Sequence, residues 1–232
     1  LQERIDIVVS DLLILSESTH LAAVLEGRAS FDQLADEYKL FTLRRGIYDQ
    51  IRYLDNDGDE TVRVNYGSGI PYTVPGRDLQ NKANRPYFNL AHTAPRGTVY
   101  ISGIDLNQEF GEIEKPIKPV IRLSAPVFDR FGDRQGVVVL NLRAAPILDD
   151  VIAPLALDGA KPFVLDHDGN WILGGQSGEN WAKDLTGTAR VFADRFPNAW
   201  ENMRLGLQSF ETDTGFYSVQ LLDASDLFLA RN

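Results

Sequence analysis

Apolar and polar residues alternate along the chain in a pattern that predicts an α+β fold beginning with helices. From Gln2 to Glu26 apolar residues recur at near-helical spacing and Gly27 follows as a stop, so we predict one long helix. Its apolar residues cover more than one face. The helix therefore either contacts a second copy of the chain as well as its own domain, or is wholly buried in its own domain. A second helix is predicted from Ser30 to Leu43, with Ser30 as N-cap.

Short apolar runs bounded by turn residues predict strands in the first half of the chain. These runs are Tyr48 to Leu54, Thr61 to Asn65, Val99 to Ile104, Val120 to Phe128 and Gly136 to Leu142. A short polar helix, starting near Asn81 and carrying Asn84-Arg85-Pro86-Tyr87-Phe88, lies between them. A helix laid over a sheet encloses a pocket, so this stretch predicts a small-molecule site.

The second half repeats one motif of the first. Leu54-Asp55-Asn56-Asp57-Gly58-Asp59 is paralleled by Leu165-Asp166-His167-Asp168-Gly169-Asn170, and each motif fits a tight hairpin between strands. The repetition predicts two similar domains in tandem. A linker with an apolar helical segment is predicted from Ala144 to Lys161. Further elements are predicted as a helix over Ala189 to Leu205 and strands over Leu207 to Glu211, Phe216 to Leu222 and Leu227 to Ala230.

Charge and composition narrow the class of partner. The net charge of −10 and the pI of about 4.8 argue against nucleic acid, which binds clustered Lys and Arg. The chain contains no cysteine, which excludes thiolate and disulfide chemistry and is compatible with an exported domain. No apolar run reaches the roughly 18 to 20 residues that span a bilayer.

Catalytic and metal-binding patterns are absent from the sequence. His20, His92 and His167 lie far apart and none has a partner at metal spacing. The acidic stretch from Asp55 to Asp59 fails as a calcium loop, because its glycine and its final acidic ligand are misplaced. We therefore expect no enzyme activity, no metal and no cofactor in this chain.

The candidate ligand-binding residues follow from the helix-over-sheet arrangement. Arg85 offers a planar fork of donors that suits a carboxylate, while Tyr87 and Phe88 offer aromatic walls. Polar atoms directed inward from strands are expected at Tyr100, Ser102, Arg122 and Asn141. Alternatives remain open: Arg85 could form an ion pair with Asp78, Arg122 could be a surface charge, and Asn141 could tie a strand end to the linker.

The order of these parts resembles the double Cache (tandem PAS-like) extracytoplasmic sensor domains of bacterial histidine kinases, diguanylate cyclases and chemoreceptors. The resemblance covers nearly the whole chain: a long N-terminal helix, the Asp-x-Asp-Gly hairpin, the Arg-Pro-aromatic-aromatic helix and Pro126-Val127-Phe128-Asp129 before Gly136-Val137-Val138-Val139. The stretch from Asp105 to Arg122 is similar to sensor histidine kinase members. The resemblance implies a helical stalk over residues 1–45, a membrane-distal PAS-like domain over 46–150 and a smaller membrane-proximal one over 151–232.

The resemblance also implies a function and a site. It implies transmembrane helices flanking the domain, a position on the periplasmic side of the bacterial inner membrane and an output module, most simply a histidine kinase. In amino-acid-binding members the helix arginine takes the ligand carboxylate and an aspartate on the last strand takes the ammonium. Arg85 and Tyr87 match the helix motif, and Asn141 stands at the aspartate position. The tyrosine expected on an earlier strand is replaced near Ile104 or Asp105, which makes Asp105 a further candidate ligand residue. A neutral amide holds an ammonium weakly, so we expect a small carboxylate without an amine.

Two other functions remain open. The chain could be a dimerisation or partner-binding module without a small-molecule ligand, or the input domain of a diguanylate cyclase or chemoreceptor. A weak homodimer through the N-terminal helix is expected, because membrane anchoring normally supplies a high effective concentration.

Overall fold

The computed structural model describes residues 2–67, 69–155 and 160–221. The chain divides into two compact units, and the boundary falls between Ala145 and Pro146. The first unit contains the N-terminal helices and a large antiparallel sheet, as the predicted α+β architecture requires.

The sheet of the first unit has six strands in the order β3-β2-β1-β8-β7-β4, with every neighbouring pair antiparallel. Its strands are β1 (Tyr48–Leu54), β2 (Glu60–Gly67), β3 (Ile70–Thr73), β4 (Tyr100–Leu106), β7 (Pro119–Phe128) and β8 (Arg134–Arg143). The connection between β4 and β7 carries a small hairpin of β5 (Gln108–Glu109) and β6 (Glu112–Ile113). Strands β1, β7 and β8 are buried on both faces because helices cover each side.

The N-terminal segment forms two helices rather than the one predicted. The first, α1 (Gln2–Ser16), is followed by α2 (Thr19–Leu25). Ser18 is extended at φ −66° and ψ 145°, and its hydroxyl accepts a hydrogen bond from the backbone N–H of Leu21. An N-cap must leave the helical conformation to make this bond, so Ser18 interrupts the helix. The predicted second helix is confirmed as α3 (Phe31–Arg45), which begins with a capping box between Ser30 and Gln33.

Helices α1 and α3 pack on the sheet of the first unit. The segment Arg4–Leu25 is long and apolar enough to cross a membrane by length and composition, contrary to the expectation that no such segment exists. In this structure many of its apolar side chains are buried in the domain core, and buried core helices pass the same test. The buried residues are Ile5, Val8, Val9, Leu12, Leu15, Leu21 and Val24.

A buried aspartate fastens α1 to the start of the sheet. The Asp11 side chain is fully buried, forms an ion pair with Arg45 and accepts a 2.6 Å hydrogen bond from the Tyr48 hydroxyl. We expect Asp11→Ala to lower the free energy of unfolding by about 1–3 kcal/mol, because it leaves a buried hydroxyl without its acceptor. Urea unfolding followed by circular dichroism measures this. Glu17→Ala, at an exposed position, is the control, and an equal loss in both variants would contradict the prediction.

The predicted Asp-Gly hairpins occur three times, once more than expected. Asp55, Asp129 and Asp166 each accept hydrogen bonds from the backbone N–H groups two and four residues ahead, at 2.8–3.0 Å. The fourth residue of each turn is a glycine with positive φ, at Gly58, Gly132 and Gly169. The additional copy joins β7 to β8 inside the first unit, so the motif by itself marks a type of hairpin rather than the start of a domain.

The second unit has its own aromatic core. Its strand pairs are β9 (Val164–Leu165) with β10 (Trp171–Leu173) and β11 (Ser209–Thr212) with β12 (Gly215–Ser218). Its helices are α6 (Ala182–Thr186) and α7 (Pro197–Arg204), and α5 (Ala145–Ile152) lies at the boundary between the units within the predicted linker. Trp171, Phe192, Ala199 and Phe210 form the core.

The helix predicted from Ala189 to Leu205 is confirmed only over its second half. Phe192–Asp194 form a single 3-10 turn, and α7 begins only at Pro197. Proline lacks an N–H and disfavours a helical residue before it, so it starts a helix more readily than it continues one. The predicted strand over Leu227 to Ala230 and linker residues 156–159 lie outside the described residues.

Candidate functional site

A row of polar side chains crosses one face of the first unit's sheet. Gln50 lies opposite Asn141 on the neighbouring strand, Asn141 lies opposite Arg122, and Arg52 lies opposite Arg63. Because cross-strand partners share a face and residues two apart on one strand do too, these five side chains form one continuous polar row. We call this the front face.

Helix α4 (Pro86–Thr93) covers the apolar remainder of the front face. Tyr87, Phe88 and Ala91 of the helix pack with Leu54, Val137 and Val139 of the sheet. Pro86 occupies the first helical position, and Arg85 is the N-cap in an extended conformation at φ −92° and ψ 135°. The start of α4 therefore places the Arg85 side chain at the edge of the polar row. This helix begins later than the predicted start near Asn81.

The Tyr87 ring is held between two guanidinium groups of the polar row. The guanidinium carbon of Arg52 lies 5.2 Å from the ring centroid and that of Arg122 lies 5.4 Å from it. The Tyr87 hydroxyl accepts a 3.2 Å hydrogen bond from Arg52. Cation–π contacts of this length are attractive, and more so when buried. Tyr87 thus fixes the orientation of both arginines.

A cavity of about 70 Å³ lies between the start of α4, the polar row and the end of β4. Its lining contains four cationic side chains, Arg52, Lys82, Arg85 and Arg122, and one carboxylate, Asp105. Pro86, Tyr87, Leu106, Asn107 and Gln108 complete the lining. Arg122 forms an ion pair with Asp105. An excess of positive charge around a small concave site favours an anion.

A charged network lies beneath the cavity. The Glu60 side chain is fully buried and faces Arg52 at 3.5 Å and Arg63 at 3.1 Å, and it accepts a hydrogen bond from the Gln80 backbone N–H at 3.0 Å. Glu109 pairs with Arg63 at 3.1 Å. Burial acts to raise the pKa of Glu109, but Arg63 and hydrogen bonds from Gln50 and Gln80 leave that pKa below its ordinary value. Glu109 is therefore charged at neutral pH, and together with Glu60 it faces the arginines.

The lining offers charged groups and hydrogen-bond donors. Within residues 2–67, 69–155 and 160–221, no three His, Asp or Glu side chains form a group that could hold a metal ion.

Comparison with known families identifies the class of domain. The family model for the bacterial histidine kinase sensor domain matches residues 2–224. The chain belongs to this family of sensor domains. No curated protein matches it.

Solved structures with the same fold are sensor domains as well. A domain of a sensory box/GGDEF family protein from Vibrio parahaemolyticus has a TM-score of 0.74 and 22% identity, covering 90% of this chain and 79% of its own. The extracellular domain of vpHK1S-Z8, assigned as a histidine kinase, has a TM-score of 0.72 and 22% identity, covering 89% and 74%. The ligand-binding domain of the Campylobacter jejuni chemoreceptor Tlp3 with L-valine has a TM-score of 0.57 and 12% identity, covering 95% and 77%. These likenesses confirm the Cache-like fold.

The sensor domain brings four of the seven predicted ligand residues to the cavity: Arg85, Tyr87, Asp105 and Arg122. Asn141 lies one layer below, where its side chain receives a 2.6 Å hydrogen bond from Arg52 and donates to Gln50 and Asn107. Tyr100 packs against the α4 core cluster. The Ser102 hydroxyl donates to the Gly103 carbonyl and accepts from the Arg122 backbone N–H at 2.9 Å. It therefore bonds to strand backbone and is not offered to a ligand.

The open alternatives for two arginines can be compared with their contacts. Arg85 donates to Gln108 Oε1 at 3.2 Å, while Asp78 faces Arg77. Arg122 has a side chain only 8% exposed and is therefore not a surface charge. Both arrangements leave the two guanidinium groups beside the cavity.

Sequence reasoning missed four polar lining residues of the sensor domain: Arg52, Lys82, Asn107 and Gln108. Arg52 had a detectable signal, since a charged residue at the centre of an apolar strand run is rarely buried without a partner. Lys82 lies in an irregular segment and Gln108 in the two-residue strand β5, and the position of both depends on the tertiary fold.

Proposed function

We propose that this sensor domain is the extracytoplasmic input domain of a transmembrane sensor histidine kinase and that it binds a small carboxylate in the first unit. The observation that carries the ligand class is the balance of charge around the cavity, with four cations against one carboxylate. Arg85 stands at the cavity with a single neutral side-chain partner, Gln108, and so has donors to offer.

The same charges argue against an amino acid as ligand. An ammonium group would lie among cations, and the amide that replaces the expected aspartate, Asn141, is already engaged by Arg52, Gln50 and Asn107. The Tlp3 neighbour binds L-valine, but its identity of 12% does not transfer a ligand to this chain. A carboxylate without an amine fits the charge pattern better.

The arrangement of the whole protein is part of the proposal. Transmembrane helices flank the domain on the periplasmic side of the inner membrane, residues 46–150 form the membrane-distal domain and residues 151–232 the proximal one. The family supports a kinase as the output module. A diguanylate cyclase or a chemoreceptor is the alternative, and the neighbours include a sensory box/GGDEF family protein and a chemoreceptor.

A thermal-shift screen tests the ligand class. Small carboxylates, amino acids and amines are tested separately, and a ligand at a hundredfold excess over its Kd should add about 2.7 kcal/mol to the stability of the folded state. Stabilisation by carboxylates but not by amines is expected. A broad screen without any shift would reject the small-molecule function and favour a module that binds a partner protein.

Dimerisation through the N-terminal helix is the second candidate function, supported by two exposed apolar side chains. Ile7 and Ile14 are 48% and 58% exposed and lie seven residues apart, on one face of α1. We expect weak self-association that Ile7→Glu with Ile14→Glu abolishes without unfolding the domain, as measured by analytical ultracentrifugation. Glu substitution of the exposed Leu40 on α3 is the control. A dimer that persists in the double variant would place the interface elsewhere.

A further inference from the structure

Lys82 is a buried cation that lines the cavity. Only 5% of the residue is exposed, and its backbone N–H donates to the Gly58 carbonyl at 2.7 Å, which fixes the chain on the hairpin between β1 and β2. Its Nζ donates to Gln80 Oε1 at 2.9 Å. Among the described residues no carboxylate oxygen lies within the 4.0 Å of an ion pair with Lys82.

The other buried cations of this site differ from Lys82 in having a carboxylate partner. Arg52 and Arg63 share Glu60, and Arg122 pairs with Asp105. Removing a charge from water is costly unless an opposite charge compensates it. Lys82 has a neutral amide as its side-chain partner. An anionic ligand would supply the opposite charge that the protein does not place beside it.

Burial and neighbouring positive charges also disfavour the protonated form of Lys82. Burial and the nearby Arg52 charge lower the pKa of Lys82 to about 8, and Arg85 acts in the same direction. Glu60 and Glu109 act to raise it, but do not restore the ordinary value. Arg122 and Asp105 face the same cavity and neutralise each other as an ion pair.

We propose that Lys82 is a second anion contact of this cavity, so that the sensor domain selects a short dicarboxylate, with one carboxylate on Arg85 and the other on Lys82. This inference rests on the proposed function and specifies its ligand. Two cations without carboxylate partners, carried by separate backbone positions, match two separate anionic groups better than one. The cavity is small, at about 70 Å³, so a compact ligand suits it.

Isothermal titration calorimetry with malonate, acetate, sulfate and alanine tests the inference. The wild-type domain is expected to bind malonate at least about tenfold more tightly than acetate, because a second charge-assisted contact is added. Lys82→Met removes the charge but keeps most of the apolar stem. It should weaken malonate binding by about tenfold or more and acetate binding by less than about threefold. Lys183→Met, which removes an equal charge from the second unit, should leave both affinities unchanged.

The pH dependence gives an independent readout. The protonated Lys82 binds an anion better, so the malonate affinity of the wild type should fall as the pH rises from 7 to 9 through the lysine pKa of about 8. Malonate keeps both of its charges over this range. The profile of Lys82→Met should therefore be flat. If Lys82 is only a structural residue, a folded Lys82→Met domain should show the same pH dependence of malonate affinity as the wild type.

The outcomes separate this inference from the function on which it rests. Equal weakening of malonate and acetate by Lys82→Met, with acetate binding lost in Arg85→Ala, would overturn the role of Lys82 and leave the carboxylate sensor intact. Tighter binding of sulfate than of malonate would replace the dicarboxylate with a single compact anion. Binding of alanine alone would reject the proposed carboxylate class itself.

Discussion

Arg85→Ala is expected to weaken carboxylate binding by about two orders of magnitude, because truncating one partner of a buried charge pair typically costs about 2–5 kcal/mol. Arg85 lines the cavity as the N-cap of α4, and its side-chain hydrogen-bond partner is the neutral Gln108. The ligand carboxylate would lose a planar fork of donors that no neighbouring group can replace with the same geometry. Calorimetric titration of the first carboxylate found in the screen measures the effect.

The stability of the domain should survive this substitution. Arg85 caps α4 with its backbone carbonyl, which accepts from the N–H groups of Phe88 and Asn89, and alanine retains that carbonyl. Arg85→Lys should bind with intermediate affinity because a point charge replaces the fork. Arg77→Ala is the matched control, since Arg77 has a side chain 86% exposed and lies outside the cavity lining. Equal affinities in all four proteins, or an unfolded Arg85→Ala domain, would make Arg85 a structural residue.

Glu60→Ala is expected to destabilise the domain by about 3–5 kcal/mol, because it removes one partner of a buried ion-pair network. Glu60 faces Arg52 at 3.5 Å and Arg63 at 3.1 Å, and the side chains of both arginines are at most 5% exposed. Without Glu60, Arg52 is left with neutral partners and Arg63 with Glu109 alone. Chemical denaturation of the wild type and the variant gives the difference in free energy of unfolding.

Two further variants show whether the charge or the volume of Glu60 matters. Glu60→Gln keeps the shape and loses the charge, so it should also destabilise the domain, though by less than the alanine variant. Glu112→Ala, at an exposed position of β6, should change stability by no more than about 0.5 kcal/mol. A Glu60→Ala loss as small as that of Glu112→Ala would mean that the arginines find water or other partners.

Local structure near strong sequence signals followed those signals closely. The capping residue Ser30 and the Asp-Gly turns fixed where α3 and the β1–β2 hairpin begin and end, because each signal acts within a few residues. The first half of the helix predicted over Ala189 to Leu205 is not α-helical for the same kind of reason, since Pro197 acts locally and its effect outweighs the apolar spacing. Ser18 likewise divided the N-terminal helix by capping the second half.

The residues of the candidate site differ in whether the sequence alone could reveal them. Arg85 and Tyr87 could be found from the sequence because Pro86 and the aromatic residues mark the start of a helix whose role a family resemblance supplies. Arg52 could not be assigned to the site in the same way. Its hydrogen bond to Asn141 joins residues 89 positions apart, and it exists because β1 pairs with β8.

The sequence by itself determined the class of domain, the helices and hairpins with strong caps, and the absence of thiol chemistry, because these depend on residue type and short spacing. Only the tertiary structure decided which charges are buried and which of them meet. Strand pairing set Arg122, Asn141, Gln50, Arg52 and Arg63 in one row, and the segment before α4 placed Lys82 over it. A buried charge is costly unless an opposite charge or hydrogen bonds compensate it. Which charges are buried depends on contacts between distant parts of the chain.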